Sequence, residues 1–152
     1  MTAAAGPSIR VVVADDDDTM RRAMVDVLTV YGGFEVVAET GTAVGLTELA
    51  ARTEAHLVVL DVRMPGGGPP AARALRSAAP YPVVVAVSAS TDVPTVAEMM
   101  RAGATGFLAK GSLGTSFADD LSRCAQGQVM VAVPQGAQVL RTLGATTTPD
   151  ES

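Results

Sequence analysis

The stretch Leu57 to Gly66, LVVLDVRMPG, decides how the rest of the chain is arranged. Its first four residues are apolar, and they are followed by an acid and then by the breakers Pro65 and Gly66. This pattern is typical of a short strand buried on both faces of a parallel sheet. Because ligands of open α/β sheets bind beyond the carboxyl ends of the strands, Asp61 is a candidate site residue. A lone acid at a strand end is more often a turn or capping residue, so a functional role needs partners.

The alternation of strands and helices along the chain predicts a doubly wound α/β fold. Helical patterns follow the strand-like runs and return the chain to the same edge of the sheet, as right-handed crossovers between parallel strands require. The predicted strands comprise residues 9–14, 34–38, 57–61, 83–87 and 106–109, and the predicted helices residues 19–31, 41–53, 71–79, 92–100 and 114–124.

Composition and boundaries indicate one domain of a soluble, cytoplasmic protein. The chain has 152 residues, of which 48% are hydrophobic, and no apolar run approaches the roughly 18 residues that a membrane span needs. We expect a disordered N-terminus over residues 1–8, the domain over 9–126, and a linker or short extra helix with a tail over 127–152. No output domain is expected in the chain. A net charge of −5 argues against direct binding of nucleic acid.

Polar groups that suit one chemistry follow four of the five predicted strands. Asp15 and Asp16 follow the first strand, Asp61 ends the third, Ser88 follows the fourth and Lys110 the fifth. Three carboxylates at one edge repel each other unless a cation neutralises them, and Mg²⁺ is the natural choice because it prefers oxygen ligands. A carboxylate beside bound Mg²⁺ can attack phosphorus.

In this interpretation Asp61 is the nucleophile, Ser88 donates its hydroxyl to a phosphoryl oxygen, and Lys110 pairs with another oxygen. Several other polar residues receive structural interpretations. Asp17 and Asp18 suit the cap and first turn of the following helix, His56 is interpreted as a loop residue, and Cys124 as a packed thiol.

The motifs VVVADD, LVVLDVRMPG, VAVSAS and GATGFLAK together resemble the receiver domain of two-component response regulators, a chemotaxis-regulator-like domain. The resemblance covers about residues 9–126 and implies a flavodoxin-like, five-stranded parallel sheet of order 2-1-3-4-5. It is closest to the branch whose outputs are helix-turn-helix DNA-binding domains. On this view the chain is either an excised receiver or a natural stand-alone domain.

The resemblance implies a phosphorylation-dependent signalling switch and not a conventional enzyme. Asp61 would accept a phosphoryl group from a sensor histidine kinase, and Asp15, Asp16, Asp61 and the backbone carbonyl of Arg63 would hold Mg²⁺. Ser88 and Phe107 would move together and remodel the face formed by the fourth helix, fifth strand and fifth helix. That face would control transcription through a DNA-binding domain absent from this chain, and it is a candidate homodimer interface.

Two departures from the family pattern and two other functions remain open. Residues 67–70 read GGPP where the family usually has a small-acid-glycine turn, and Gly111 follows Lys110 where the family often has Pro or Asp. The first alternative function is an unphosphorylated or stand-alone protein-interaction module. The second is an aspartate-nucleophile phosphatase, a class that usually carries a second acid at the position of Arg63.

Overall fold

The computed structural model describes residues 8–112 and 114–147 and contains a six-stranded parallel sheet. The order of the strands is β2-β1-β3-β4-β5-β6, and every neighbouring pair is parallel. The strands are β1 (Ile9–Ala14), β2 (Phe34–Thr40), β3 (Leu57–Asp61), β4 (Val83–Ser88), β5 (Gly106–Ala109) and β6 (Met130–Ala132). The central strands are wholly apolar before their last residues because both faces are buried.

Six helices cover the two faces of this sheet. They are α1 (Asp18–Tyr31), α2 (Leu46–Arg52), α3 (Pro69–Arg76), α4 (Val93–Arg101), α5 (Thr115–Ala125) and α6 (Gly136–Thr147), and a single turn of 3₁₀ helix spans Lys110–Ser112. Helices α1 and α5 bury one apolar cluster with the sheet, while α2, α3, α4 and α6 bury a second cluster on the other face. The two layers hold the strand ends in fixed positions.

Local sequence signals explain where the helices begin. The Asp17 side chain accepts a hydrogen bond from the Met20 backbone N–H and caps α1, and Asp92 accepts one from Thr95 and caps α4. Helix α3 begins with Pro69 and Pro70, whose missing N–H groups cost nothing in a first turn. Asp18 lies in the first turn of α1, as the sequence predicts.

The doubly wound parallel fold is confirmed, and the sheet contains one strand more than the five predicted. Residues 130–147, within the predicted linker or short extra helix, form β6 and α6. On the face formed by α4, β5 and α5, β6 pairs with β5 and α6 packs on α4.

The predicted disorder of residues 1–7 lies outside the described residues. In the described part of the chain, no helix combines the length and the hydrophobicity that crossing a bilayer would require.

Candidate functional site

The carboxyl ends of β1, β3, β4 and β5 meet at one edge of the sheet and carry the predicted polar groups. Asp15 directly follows β1, Asp61 ends β3, Ser88 ends β4 and Lys110 follows β5. Parallel pairing aligns these ends, since Asp61 lies in register with Val87 and Ser88 with Ala109. The common edge therefore brings together residues that are up to 95 positions apart in the chain.

Lys110 joins two buried acids at this edge. Its Nζ lies 2.9 Å from Oδ2 of Asp15 and 3.3 Å from Oδ2 of Asp61. Asp15 is fully buried and Asp61 is 2% exposed, whereas the Lys110 side chain is 13% exposed. Unlike charges at this separation and depth attract more strongly than at the surface, because little water screens them.

The pKa shifts of Asp61 and Lys110 reflect the sharing of one ammonium charge between two carboxylates. Burial raises the pKa of Asp61 to about 6, and the nearby Asp15 carboxylate adds to the increase, while the Arg63 N–H and the Lys110 ammonium oppose it. Burial acts to lower the pKa of Lys110, but the two carboxylates outweigh burial and raise it. The site thus carries more negative charge than its one lysine balances.

Asp16 completes an acidic cluster that suits a divalent cation. Carboxylate oxygens of Asp15, Asp16 and Asp61 all lie within 4.8 Å of one another, with Asp16 exposed and the other two buried. Oδ2 of Asp15 is buried, and the Lys110 ammonium that faces it also faces Asp61, so one positive charge serves three carboxylates. Carboxylates that share too little positive charge are costly unless a further cation joins them. Three hard oxygen donors, one of them facing solvent, fit Mg²⁺, which keeps several waters when bound.

Backbone groups fix the orientation of the two buried acids. The Asp17 N–H donates to Oδ1 of Asp15 over 2.9 Å, and the Arg63 N–H donates to Oδ1 of Asp61 over 3.2 Å. Each acid therefore has one oxygen held by the backbone and the other turned toward Lys110. The Arg63 carbonyl remains a predicted metal ligand.

The glycine-rich loop after β3 permits the chain to pass close behind Asp61. A Cβ atom on Gly67 would lie 2.7 Å from the Asp61 carbonyl oxygen and 3.0 Å from that of Met64. No side chain fits at this distance, so Gly67 is required for the tight turn that its N–H closes onto the Met64 carbonyl. Residues 67–70, whose sequence GGPP departs from the family pattern, thus include a glycine that the turn beside the site requires.

Ser88 and Phe107 are both fully buried, on neighbouring strands. The Ser88 hydroxyl oxygen accepts a hydrogen bond from the Ser90 N–H at 3.0 Å. Phe107 belongs to the apolar cluster beneath α4 and α6. Their joint movement remains a prediction, and the burial of both side chains constrains how it can occur.

Arg21 is a supporting residue that the sequence analysis did not identify. Its Nη1 donates to the Asp15 carbonyl oxygen over 2.6 Å, its Nη2 to Asp18, and its Nε to Glu39 at the end of β2. It thereby ties the acidic turn to both α1 and β2. The available signal was its position one helical turn after the acidic run, at the i,i+3 spacing from Asp18.

Two residues with possible chemistry have structural surroundings instead. His56 Nδ1 accepts a hydrogen bond from the Arg10 N–H at the opposite edge of the sheet. Cys124 is fully buried beneath α5, and burial raises the pKa of its thiol to about 11. Both observations agree with the structural interpretations given to these residues.

Comparisons with known proteins show similarity to one family. The family model described as response regulator receiver domain matches residues 11–117. The chain is 32% identical to the response regulator GacA of Pseudomonas aeruginosa over 133 residues, covering 87% of this chain and 62% of the relative. It is 34% identical to the probable transcriptional regulatory protein NarL of Mycobacterium tuberculosis over 125 residues, covering 82% and 58% respectively.

The chain thus spans about three fifths of the length of these curated relatives. Among solved structures, the signal receiver domain of the putative response regulator NarL from M. tuberculosis is similar with a TM-score of 0.76 and 34% identity, covering 81% of this chain and all of that one. The isolated receiver domain of RcsB from Salmonella enterica, at 16% identity and a TM-score of 0.77, shows the same fold.

Proposed function

This chain belongs to the response regulator receiver domain family, and from that premise we propose that Asp61 accepts a phosphoryl group from a sensor histidine kinase. GacA and NarL bear the names of response and transcriptional regulators, which are regulatory proteins rather than enzymes. The observation that carries the proposal is the bridge of Lys110 between buried Asp15 and Asp61 inside an acidic cluster.

In the proposed reaction, a carboxylate oxygen of Asp61 forms a bond to phosphorus while the bond from phosphorus to the donor's histidine nitrogen breaks. The imidazole takes up a proton as it leaves, and the product on this chain is an acyl phosphate. Lys110 pairs with one phosphoryl oxygen, and Ser88, whose oxygen accepts a bond from the Ser90 N–H, donates its hydroxyl hydrogen to another. Bound Mg²⁺ would supply charge neutralisation for the acids and the transferring group.

The residues proposed to hold Mg²⁺ are Asp15, Asp16 and Asp61, together with the Arg63 carbonyl. Support comes from the spacing of the three carboxylates and from their excess of negative charge over the single ammonium of Lys110 that faces Asp15 and Asp61. Arg21 holds the Asp15 carbonyl and keeps this acidic turn in place.

The experiment is incubation of the chain with Mg²⁺ and acetyl phosphate, followed by intact mass measurement. One labile phosphoryl adduct is expected, dependent on Mg²⁺ and lost in Asp61→Asn, with the exposed Asp26→Asn as a matched control that keeps it. An equal adduct in Asp61→Asn would reject Asp61. Mg²⁺ binding without any adduct would favour the unphosphorylated interaction module instead.

For the output, we propose control of transcription through a DNA-binding domain outside residues 1–152, in the cytoplasm where the kinase's phosphoryl donor is made. The support is the similarity to named transcriptional regulators of greater length. Replacing Asp61 with Asn in the source organism should alter the same transcripts as deleting the gene. Unrelated transcript changes in the two strains would count against this output.

A further inference from the structure

Residues 130–147, the β6–α6 segment, cover the edge of β5 and one side of α4. Strand β6 pairs in register with β5, placing Phe107 opposite Val131 and Leu108 opposite Ala132, and the Met130 N–H donates to the Thr105 carbonyl. Helix α6 packs on α4 and contributes Val139 to the buried cluster. The β5 edge is therefore occupied by the chain's own C-terminal segment.

Among the described residues of this segment, one side chain is fully buried and the others are half-buried or exposed. Val139 is fully buried, Leu143 is half-buried, and Leu140, one position along from Val139, is 54% exposed. A cleft of about 590 Å³, lined by Val93 and Ala97 of α4 and by Gln138 of α6, lies between the two helices. An element with few buried apolar contacts opens locally more easily than the sheet centre does.

The face of the sheet beneath α4 and α6 connects this contact to Ser88, the hydroxyl proposed to bind the phosphoryl group. Side chains alternate along a strand, so Ala86, Ser88, Phe107 and Ala109 all point to the face that carries α4 and α6. Phe107 is paired with Ala86 on one side and with Val131 on the other.

We propose that phosphorylation of Asp61 controls the docking of the β6–α6 segment and loosens it, an inference that rests on the proposed function. When the Ser88 hydroxyl turns toward a phosphoryl oxygen, it leaves space beside Ala86 and Ala109, which are small residues on the same face of the sheet. Phe107 tilts into that space and withdraws from beneath Val131 and Val139. Phosphorylation thus acts first on the β6–α6 segment of the same chain, and the release of this segment exposes the β5 edge and α4.

Amide hydrogen exchange on the full chain tests this proposal, with BeF₃⁻ as a stable mimic of the phosphoryl group. Comparing Mg²⁺ alone with Mg²⁺ plus BeF₃⁻, the amides of β6 and α6 should exchange about tenfold faster or more with the mimic, while those of β3 keep their rates. Unchanged or slower exchange in β6 and α6, with chemical shifts at Asp61 showing that the mimic is bound, would overturn the inference.

A second measurement uses the reciprocity of coupled equilibria. If the mimic loosens docking, a variant that loosens docking must bind the mimic more tightly. Val139→Ala should therefore bind BeF₃⁻ about threefold or more tightly than the parent chain, while Leu140→Ala, an exposed neighbour on the same helix, should not. Equal or weaker binding by Val139→Ala would contradict the proposal.

The two experiments separate this inference from the proposed function. Absence of the acetyl phosphate adduct, or of BeF₃⁻ binding, removes the proposed function and the inference with it. A normal adduct on Asp61 combined with unaltered exchange in β6 and α6 removes the inference alone.

Discussion

Neutralising Asp61 should stabilise the metal-free protein, although it removes one arm of a buried ion pair. Burial and the Asp15 carboxylate raise the pKa of Asp61 from 3.8 to about 6. A raised acid pKa means that the folded state binds more protons than the unfolded state between these values, so stability falls as pH rises from about 4 to 6. Above pH 6 Asp61 is ionised in the folded state, and the full cost of burying its charge lowers the free energy of unfolding.

The size of this cost follows from the shift. Roughly two pKa units at about 1.4 kcal/mol each correspond to about 3 kcal/mol. Asp61→Asn keeps an oxygen for the Arg63 N–H but gives up the charge facing Lys110, which reduces the gain. We expect Asp61→Asn to raise the free energy of unfolding by about 1 to 3 kcal/mol at pH 8.

Urea unfolding in EDTA, followed by far-UV circular dichroism between pH 4.5 and 8, measures this effect. The parent chain should lose stability across pH 4 to 6, and the loss should be smaller in Asp61→Asn. Asp26→Asn, which removes an exposed carboxylate on α1, should change stability by less than about 0.5 kcal/mol. A less stable Asp61→Asn at pH 8, or identical pH profiles, would refute the electrostatic reasoning.

Four further predictions follow from the same site. Mg²⁺ at about 100 times its dissociation constant should stabilise the parent chain by about 2.7 kcal/mol in thermal or urea unfolding, and Asp15→Asn should lose most of this gain. Lys110→Met should lower the unfolding free energy at pH 8 in EDTA by about 3 kcal/mol, and adding Asp61→Asn should restore part of it; additive effects would argue against their direct pairing. Arg21→Ala should weaken Mg²⁺ binding in calorimetry about tenfold, with partial rescue by Arg21→Lys, because the Asp15 carbonyl loses its donor. Cys124 should resist iodoacetamide in the native protein at pH 8 and react after unfolding, since its thiol is buried and its pKa is raised to about 11.

The five predicted strands could be identified because each contains a short run of β-branched or apolar residues, such as VVVA in β1 and VVVAV in β4, and parallel pairing then places their ends at one edge. That is why Asp15, Asp61, Ser88 and Lys110 were identifiable without coordinates. The cap role of Asp17 was also predictable, since it depends only on residues within one turn.

Features that depend on residues far apart in the chain could not be predicted from the sequence. Met130–Ala132 is three residues long, and only the exposed edge of β5 makes it a strand. The role of Arg21 depends on the Asp15 carbonyl and on Glu39 of another strand, so an ordinary surface arginine and a supporting one look alike in sequence. The close approach of Gly67 to the Asp61 carbonyl likewise appears only once the loop is folded.

Chemical mapping of the phosphorylated residue tests the central claim most directly. Borohydride reduction of the chain after treatment with acetyl phosphate and Mg²⁺ converts an aspartyl phosphate to homoserine, and peptide mass spectrometry locates it. We predict homoserine at position 61 and at no other acid. Homoserine at position 15 or 16, or none in a chain that binds Mg²⁺, would contradict the account.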